Sequence, residues 1–198
     1  MVRERQVGAF GQRSETTLDL GVDTALEITT FGAAFAHPVG SDLTLAVGVG
    51  AITDGELRAG AVTATLADGL AVSVSGTRTR VFAGGILDQL DLSLSGSYAR
   101  ATTRHSGTGA AGKYAAVDLR LGLRGVRRLG GGASGWVSGR VFGGPVTWDR
   151  EGTSDTGGDL HHYQLGFGAA WRTGGLGVYA EAMVAGERAL GAGAGWSW

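Results

Sequence analysis

The sequence lacks cysteine and asparagine, contains two prolines, and has lysine only once, at Lys113. Without cysteine the chain has neither a disulfide framework nor a thiolate metal site. A net charge of −1 and a charged fraction of 18% exclude both a strongly basic nucleic-acid-binding surface and a charged disordered tail. A transmembrane helix needs about 20 mostly apolar residues in succession, and the sequence has no such run.

Glycine is abundant instead, with 38 of 198 residues, but it lacks the three-residue period of collagen. Apolar residues alternate with glycine, serine or polar residues over most of the chain, as in strands with one apolar face. Glycine inside such runs would cost a helix about 1 kcal/mol each, so the pattern predicts strands. The clearest runs are residues 18–23, 43–50, 70–75, 90–99, 115–124, 162–171 and 176–184.

Turn signals separate these runs and bring the predicted number of strands to about twelve. Weaker strands are predicted near residues 4–11, 26–37, 57–66 and 135–142. The predicted turns lie at residues 38–42, 53–55, 67–69, 83–85, 130–132 and 173–175. With no fixed-period repeat and no linker, we expect one domain over residues 1–198 rather than a solenoid or propeller.

The two faces of the predicted strands have unusual compositions. One face is leucine, valine and aromatic, while the other is mostly glycine, alanine and serine with few charges. In a membrane barrel the apolar face meets lipid and the small or polar face lines the interior. We therefore predict an all-β fold: a closed antiparallel transmembrane β-barrel of 8–12 strands, with 12 preferred. A soluble ligand-binding barrel, with the opposite polarity, is the alternative.

The last residues of the chain form the most specific motif. The apolar face of this segment carries Leu190, Ala192, Ala194, Trp196 and Trp198. The segment resembles the C-terminal strand of bacterial outer-membrane barrels, which ends in an aromatic residue and is read by the barrel-assembly machinery. It departs from that pattern in using Trp where Phe is commoner, and alanine at two apolar positions. The resemblance implies a bacterial outer-membrane location, outer-membrane lipid as surroundings, and assembly through Leu190, Trp196 and Trp198.

A strand count near twelve, the glycine-rich strands and the closing segment also resemble the C-terminal translocator barrel of autotransporters. That resemblance implies an anchor that helps to export a fused or separate passenger. The segment before Leu18 is short for the pore-threading helix of such barrels. The resemblance is one of class, and it transfers no functional residue.

Loop lengths give the barrel a direction. If Trp198 lies on the periplasmic side, residues 172–175 form a short inner turn, and residues 101–112 and 143–158 become long outer loops. The outer hairpin at residues 186–188 is unusually short. Seven aromatic residues near strand ends fit an interfacial girdle, or only the general preference of aromatic residues for strands. They are Tyr98, Trp136, Trp148, Tyr163, Trp171, Trp196 and Trp198.

Seven charged residues fall on the presumed inner face. They are Asp19, Asp23, Asp91, Asp118, Arg120, Arg124 and Glu181. Pairing Leu92 with Leu121 on the next strand would place Asp91 beside Gly122, diagonal to two arginines. These charges could polarise a lumen, or form a structural salt-bridge network that fills a narrow interior.

Histidines supply the case for an enzyme. His161 and His162 follow Asp159, with Ser154 and Asp155 upstream, so a rim hydrolase embedded in the outer membrane is a further alternative. Adjacent residues of a strand point to opposite faces, so the two histidines cannot act as one ligand pair. We expect no catalytic residue, metal or cofactor and no nucleic-acid partner. The predicted function is an outer-membrane pore, anchor or autotransporter-type translocator without covalent chemistry.

Overall fold

The computed structural model describes residues 4–150 and 152–198. Within them the chain forms twelve strands: β1 (Gln6–Asp19), β2 (Asp23–Val39), β3 (Leu43–Ala59), β4 (Val62–Val81), β5 (Gln89–His105), β6 (Ala111–Gly130), β7 (Ala133–Gly143), β8 (Val146–Arg150), β9 (Thr153–Asp159), β10 (Tyr163–Thr173), β11 (Leu176–Gly186) and β12 (Arg188–Ser197). These residues include no helix with the length and hydropathy needed to cross a bilayer.

Ten of the strands close into a barrel. The order around the ring is β1 to β7, then β10, β11 and β12, with every neighbouring pair antiparallel. The pairing of β12 with β1, from Gln6 opposite Ser197 to Glu15 opposite Arg188, completes the ring. Closure leaves no sheet edge, which is the requirement for strands in a solvent that cannot hydrogen-bond. The predicted barrel is confirmed, with ten strands in the ring and two additional strands.

The polarity of the ten-stranded part is inverted relative to a soluble barrel. Leu92, Leu119 and Phe167 point outward and are 49%, 58% and 55% exposed, whereas Gln164 is fully buried on the inner side. Ser93 also points inward and lines the interior. This outward band of Leu, Val, Ala and Phe side chains confirms the membrane prediction and contradicts the soluble alternative.

The height of the apolar band matches a bilayer. On β5 the outward positions from Leu90 to Tyr98 carry no charge, and Arg100 follows. That span agrees with the roughly 9–11 tilted residues of a membrane strand. Tyr98 and Tyr163 lie at one border of the band, and Trp171, Trp196 and Trp198 lie outward at the other.

Two of the aromatic residues assigned to a girdle lie elsewhere. Trp136 points into the lumen and Trp148 is 1% exposed in an interior core. For these two residues the girdle interpretation is wrong, because both occupy inward positions of their strands.

Beyond the apolar band the barrel changes its strand number from ten to eight. Strand β8 pairs with β6 over Gly112–Ala116, where β7 has ended, and β9 pairs with Leu18 and Asp19 of β1, where β12 has ended. Strands β8 and β9 pair with each other, so this part is closed by β1–β6, β8 and β9. We call it the collar, comprising residues 16–28, 52–69, 100–116 and 146–160.

The predicted outer loops are largely collar strands. Strand β5 continues to His105 and β6 begins at Ala111, so residues 101–112 form strand except for a short turn. Residues 143–158 contain β8 and most of β9. The loop predictions are wrong because polar residues on the water-facing side of the collar have the composition of loops.

The polarity reverses between the membrane part and the collar. On β3 and β4 the reversal coincides with β-bulges near Asp54 and Asp68, where the pairing register shifts. A bulge adds one residue, so the apolar residues beyond it face the opposite side. Asp68 has φ 49°, a left-handed conformation that aspartate tolerates. The turns predicted at residues 53–55 and 67–69 are therefore bulges, and the chain instead turns at Gly60 and Ala61.

A charge placed in the centre of the outward band should destabilise the barrel. Leu121 is the middle outward residue of the band on β6 and is 49% exposed. We expect Leu121→Arg to lower the free energy of unfolding in lipid by about 2–4 kcal/mol. Thr156→Arg, on the outer surface of the collar opposite Thr147, is the matched control and should change it little, as measured by urea titration in vesicles. Equal effects of the two variants would contradict the membrane position of the band.

The lumen as candidate functional site

The membrane part encloses a cavity of about 470 Å³. One wall is a ladder of hydroxyl groups on β4 and β5. The cross-strand pairs are Ser73 with Ser97, Ser75 with Ser95, and Thr77 with Ser93. Small hydroxyl side chains at these inward positions leave a water-accessible space where larger side chains would fill the barrel.

Ion pairs occupy other inward positions of the lumen, and the first of them lies on β5 and β6 beside the hydroxyl ladder. Asp91 is 3% exposed and accepts hydrogen bonds from Thr79 Oγ1 at 2.7 Å, Gln89 Nε2 at 2.9 Å, and Arg124 Nη2 at 2.7 Å. Arg124 also donates from Nε to the same carboxylate at 3.0 Å. Since a buried carboxylate is costly without partners, this set of donors is what permits Asp91 to lie inside the barrel.

A second network lies nearer the collar. Arg120 pairs with Asp118, contacts Glu187 with an Nη2–Oε2 distance of 3.1 Å, and donates to Gln164 Oε1 at 3.2 Å. Glu187, in the turn between β11 and β12, is 5% exposed; burial raises the pKa of its carboxyl, and the Arg120 guanidinium opposes that shift. These contacts join β6, β10 and the last hairpin across the lumen.

A fourth ion pair links two further strands. Arg140 on β7 pairs with Glu181 on β11, with an Nη2–Oε2 distance of 3.2 Å. The three arginines therefore face four carboxylates, and each guanidinium has an acidic partner. These ion pairs connect different strands of the barrel.

Two aromatic rings support the arginines. The Arg124 guanidinium carbon lies 5.5 Å from the Trp136 ring centre, and that of Arg120 lies 4.7 Å from the Phe142 ring centre. The Trp136 indole lies against Gly168 of β10, where a Cβ atom would overlap the ring. Glycine at that position is what allows a tryptophan to fit in the lumen.

The collar closes the lumen at one end. Its interior is packed with apolar side chains, and Leu18, Leu57 and Trp148 are each at most 1% exposed. An eight-stranded barrel is just wide enough for side chains to fill it, whereas ten strands leave more room. The Arg150 guanidinium lies 4.7 Å from the Trp148 ring centre and covers it from the rim, paired with Asp155.

The other end has a second cavity of about 360 Å³, lined mainly by small residues. Phe10 borders both cavities. The interior is therefore a polar chamber that is blocked by the collar and borders a small-residue cavity at the end that carries the chain termini.

The structure brings together five of the seven charged residues expected in the lumen, namely Asp91, Asp118, Arg120, Arg124 and Glu181. Asp19 and Asp23 lie elsewhere: they are exposed and opposite each other at the outer end of the β1–β2 hairpin. They alternate with Leu18 and Leu20, which point inward because the collar has a soluble-type core.

The predicted register between β5 and β6 is wrong by two residues. Leu92 lies opposite Leu123, and Asp91 lies opposite Arg124. The leucines repeat with the strand period on both strands, so the sequence could not distinguish the two alignments. The shift brings Asp91 directly beside its partner.

Three lumen residues, Arg140, Gln164 and Glu187, were not predicted from the sequence. Arg140 belongs to a weak strand, but its alternation with the outward Val137 and Val141 marks it as inward. Glu187 gave no such signal, because it lies in a turn that looked solvent-exposed. The terminal residues Leu190, Trp196 and Trp198 are outward and 66%, 54% and 55% exposed.

The histidines form no catalytic arrangement in the described part of the chain. The backbone N–H of His161 donates to Asp159 Oδ1 at 2.7 Å. Among residues 4–150 and 152–198, neither the His161 nor the His162 ring hydrogen-bonds to an Asp or Ser, and no cluster of acidic residues and histidines has the geometry of a metal site.

The closed ring, the apolar band and the polar lumen define an outer-membrane β-barrel. The fold is similar to the translocator domain of the autotransporter NalP from Neisseria meningitidis, with a TM-score of 0.56, 15% identity, and coverage of 98% of this chain and 88% of that one. It is also similar to the outer-membrane protease OmpT from Escherichia coli, with a TM-score of 0.53, 10% identity, and coverage of 98% and 95%. No protein-family model matches the chain, and no curated protein matches it.

These likenesses concern the fold, and together with the apolar band they indicate a bacterial outer-membrane protein. Outer-membrane barrels have short turns toward the periplasm and longer segments outside. The termini and the short turns at residues 40–42, 131–132 and 174–175 share one end. The collar lies at the opposite end.

The close contact between Trp136 and Gly168 can be tested with two glycine substitutions. Gly168→Ala should overlap the indole ring and destabilise the barrel by roughly 1–3 kcal/mol, the usual cost of overpacking. Gly177→Ala is the control, because its Cβ would meet nothing within 4 Å. Urea unfolding in detergent followed by tryptophan fluorescence gives both values. If the Gly168→Ala barrel is as stable as the control, Trp136 does not require a glycine at position 168.

The Arg124–Asp91 pair should matter more than a surface pair. Arg124→Met leaves the buried Asp91 carboxylate without its cation, so we expect a loss of roughly 1–3 kcal/mol in unfolding free energy. Arg78→Met breaks the exposed Arg78–Asp42 pair, whose side chains are 75% and 41% exposed, and should cost at most about 1 kcal/mol. Similar losses in the two variants would argue against the bracing role of Asp91.

Proposed function

We propose that the protein is a non-enzymatic anchor of the bacterial outer membrane, with a barrel that is sealed on its outer side and carries the collar outside the cell. The observation that supports this most directly is the apolar core of the collar. A solute crossing the barrel would have to pass Leu57 and Trp148, which are 0% and 1% exposed. Dry packing of this kind opposes the passage of water and ions.

We further propose that the barrel holds a passenger at the cell surface. The likeness to the NalP translocator domain supports a barrel that holds a fused or separate passenger at the cell surface. A chain segment could occupy the lumen only before the collar core closes, because the folded core leaves no passage. The passenger would then be exported during barrel assembly and retained afterwards.

The terminal strand supports assembly by the general barrel-assembly machinery. Leu190 and Trp196 present an outward apolar face, and Trp198 pairs with Arg5 through both backbone N–H groups, at 3.0 and 3.1 Å. The final strand thus closes the ring, and the outward aromatic residues lie at its end. Recognition would precede closure, when the β12 edge is free.

An embedded hydrolase has less support. OmpT is an outer-membrane protease and shares the fold, but a nucleophile must be activated by a base within hydrogen-bonding reach. The rings of His161 and His162 make no such contact with an Asp or Ser of the described residues. We therefore propose the anchor in preference to the hydrolase.

Conductance distinguishes a sealed anchor from an open pore. In a planar bilayer we expect no steady single-channel current from the wild-type barrel. Leu18→Ser, Leu57→Ser and Trp148→Ser together should hydrate the collar core and produce discrete conductance steps. Heat-modifiable migration in gels would verify that this variant is folded.

Regular conductance steps from the wild-type protein would contradict the sealed anchor and support a pore. The control is Leu119→Ser with Leu121→Ser, which alters the lipid-facing side and should remain silent. Conductance in that control would show that the current reports damage to the barrel rather than an opened collar.

A further inference from the structure

Three cations form a group on the outer surface of the collar. Arg100 and Arg104 of β5 and Lys113 of β6 all point outward and are exposed. Lys113 lies directly opposite Thr102, between the two arginines. Diagonal neighbours across antiparallel strands are separated by roughly 7–8 Å, so the three charges can approach one anion together. We call these three residues the basic patch.

Within the described residues the basic patch has no acidic partner, unlike two other outward arginines nearby. Arg58 on the collar pairs with Glu56 at 2.5 Å, and Arg13, just below the collar on β1, pairs with Glu27 at 2.6 Å. Within residues 4–150 and 152–198, no carboxylate forms an ion pair with Arg100, Arg104 or Lys113.

Among the residues that the structure describes, Asp149 and Asp68 are the carboxylates that border the patch. Asp149 is opposite Lys113, and Asp68 lies in the bulge of β4 beside β5. Neither makes an ion pair with the patch in the described structure. Counted over the described residues, three cations face two carboxylates, which leaves one positive charge in excess.

The height of the patch indicates what it meets. Tyr98 and Val117, opposite each other on β5 and β6, are outward and 41% and 48% exposed, and they form the last apolar row of the lipid-facing band. Arg100 occupies the next outward position. The cations therefore lie where the headgroups of the outer leaflet begin, with an apolar surface directly below for acyl chains.

We propose that the basic patch binds the phosphate of an outer-leaflet lipid, whose acyl chains pack against the band beneath Tyr98. The charge is complementary, and the patch is continuous with the lipid-facing surface. Arginine and lysine near an anionic membrane surface each strengthen binding by roughly fivefold. The proposal rests on the extracellular side that the proposed function gives to the collar, and it does not depend on whether the lumen is sealed.

Binding can be measured with lipid A, which carries phosphate on an acylated headgroup, added to the detergent-solubilised barrel and followed by native mass spectrometry. The test variant is Arg100→Gln, Arg104→Gln and Lys113→Gln. The control is Arg13→Gln, Arg58→Gln and Arg188→Gln, which removes the same number of positive charges from outward positions outside the patch, one on the collar and two below it. We expect the test variant to bind about a hundredfold more weakly, and the control to change by less than about fivefold.

Three results would overturn the proposal. Equal losses of lipid A affinity in the two variants would show a general electrostatic effect. An unchanged affinity in the test variant would show that the patch does not bind lipid A. Inorganic phosphate that binds as tightly as lipid A would show a site for the free anion rather than for a lipid. Heat-modifiable migration is checked for each variant, so that loss of binding is not loss of the fold.

The single lysine provides an independent measurement on the wild-type chain. An amine-reactive reagent can modify Lys113 as the only side-chain amine, and peptide mass analysis separates it from the terminal amine. Vesicles of phosphatidylcholine with lipid A should slow the labelling of Lys113 at least fivefold relative to phosphatidylcholine alone. Equal labelling rates in the two vesicles would contradict phosphate binding at the patch.

Discussion

The closed ring of backbone hydrogen bonds is the constraint on which the rest of this structure depends. In a bilayer no strand can leave its N–H and C=O groups unpaired, so β12 must return to β1. The pairing runs from Gln6 opposite Ser197 to Glu15 opposite Arg188 and then stops. Above that point β9 takes over the edge of β1. Closure is thus maintained by a different strand, and the ring becomes narrower where the membrane ends.

Strand number in turn explains why one chain has two opposite polarities. Ten strands enclose a space that Ser95 and its neighbours leave open, while eight strands enclose one that Leu57 and Trp148 fill. Lipid surrounds the wider part and water the narrower one, so the apolar side chains lie outside in the first and inside in the second. The short β11–β12 hairpin, which ends at Gly186 and Glu187, makes the narrowing possible.

The sequence was sufficient for the strands, the closed barrel and its inverted polarity, because a period of two and the composition of each face are local properties. The collar could not be predicted in this way. On β3, Val47 and Leu57 have the same parity, yet one meets lipid and the other the core, because a bulge near Asp54 lies between them. The same bulges read as turns, since Asp-Gly pairs occur in both. The choice of register between β5 and β6 likewise depends on Arg124 meeting Asp91, a long-range interaction that repeating leucines cannot encode.

The ion pairs of the lumen are typical of contacts that hold strands together rather than of a site that binds a solute. Each arginine pairs with a carboxylate on another strand or turn, as in Arg140 with Glu181 and Arg120 with Glu187. An arginine held by both a carboxylate and an aromatic ring has little freedom to reorganise around a solute. Apolar side chains large enough to fill a ten-stranded interior would compete with the lipid-facing leucines for the outer side during insertion. Paired charges do not compete in this way, because they find their partners only when they face the lumen. They therefore specify which face of each strand becomes the inside.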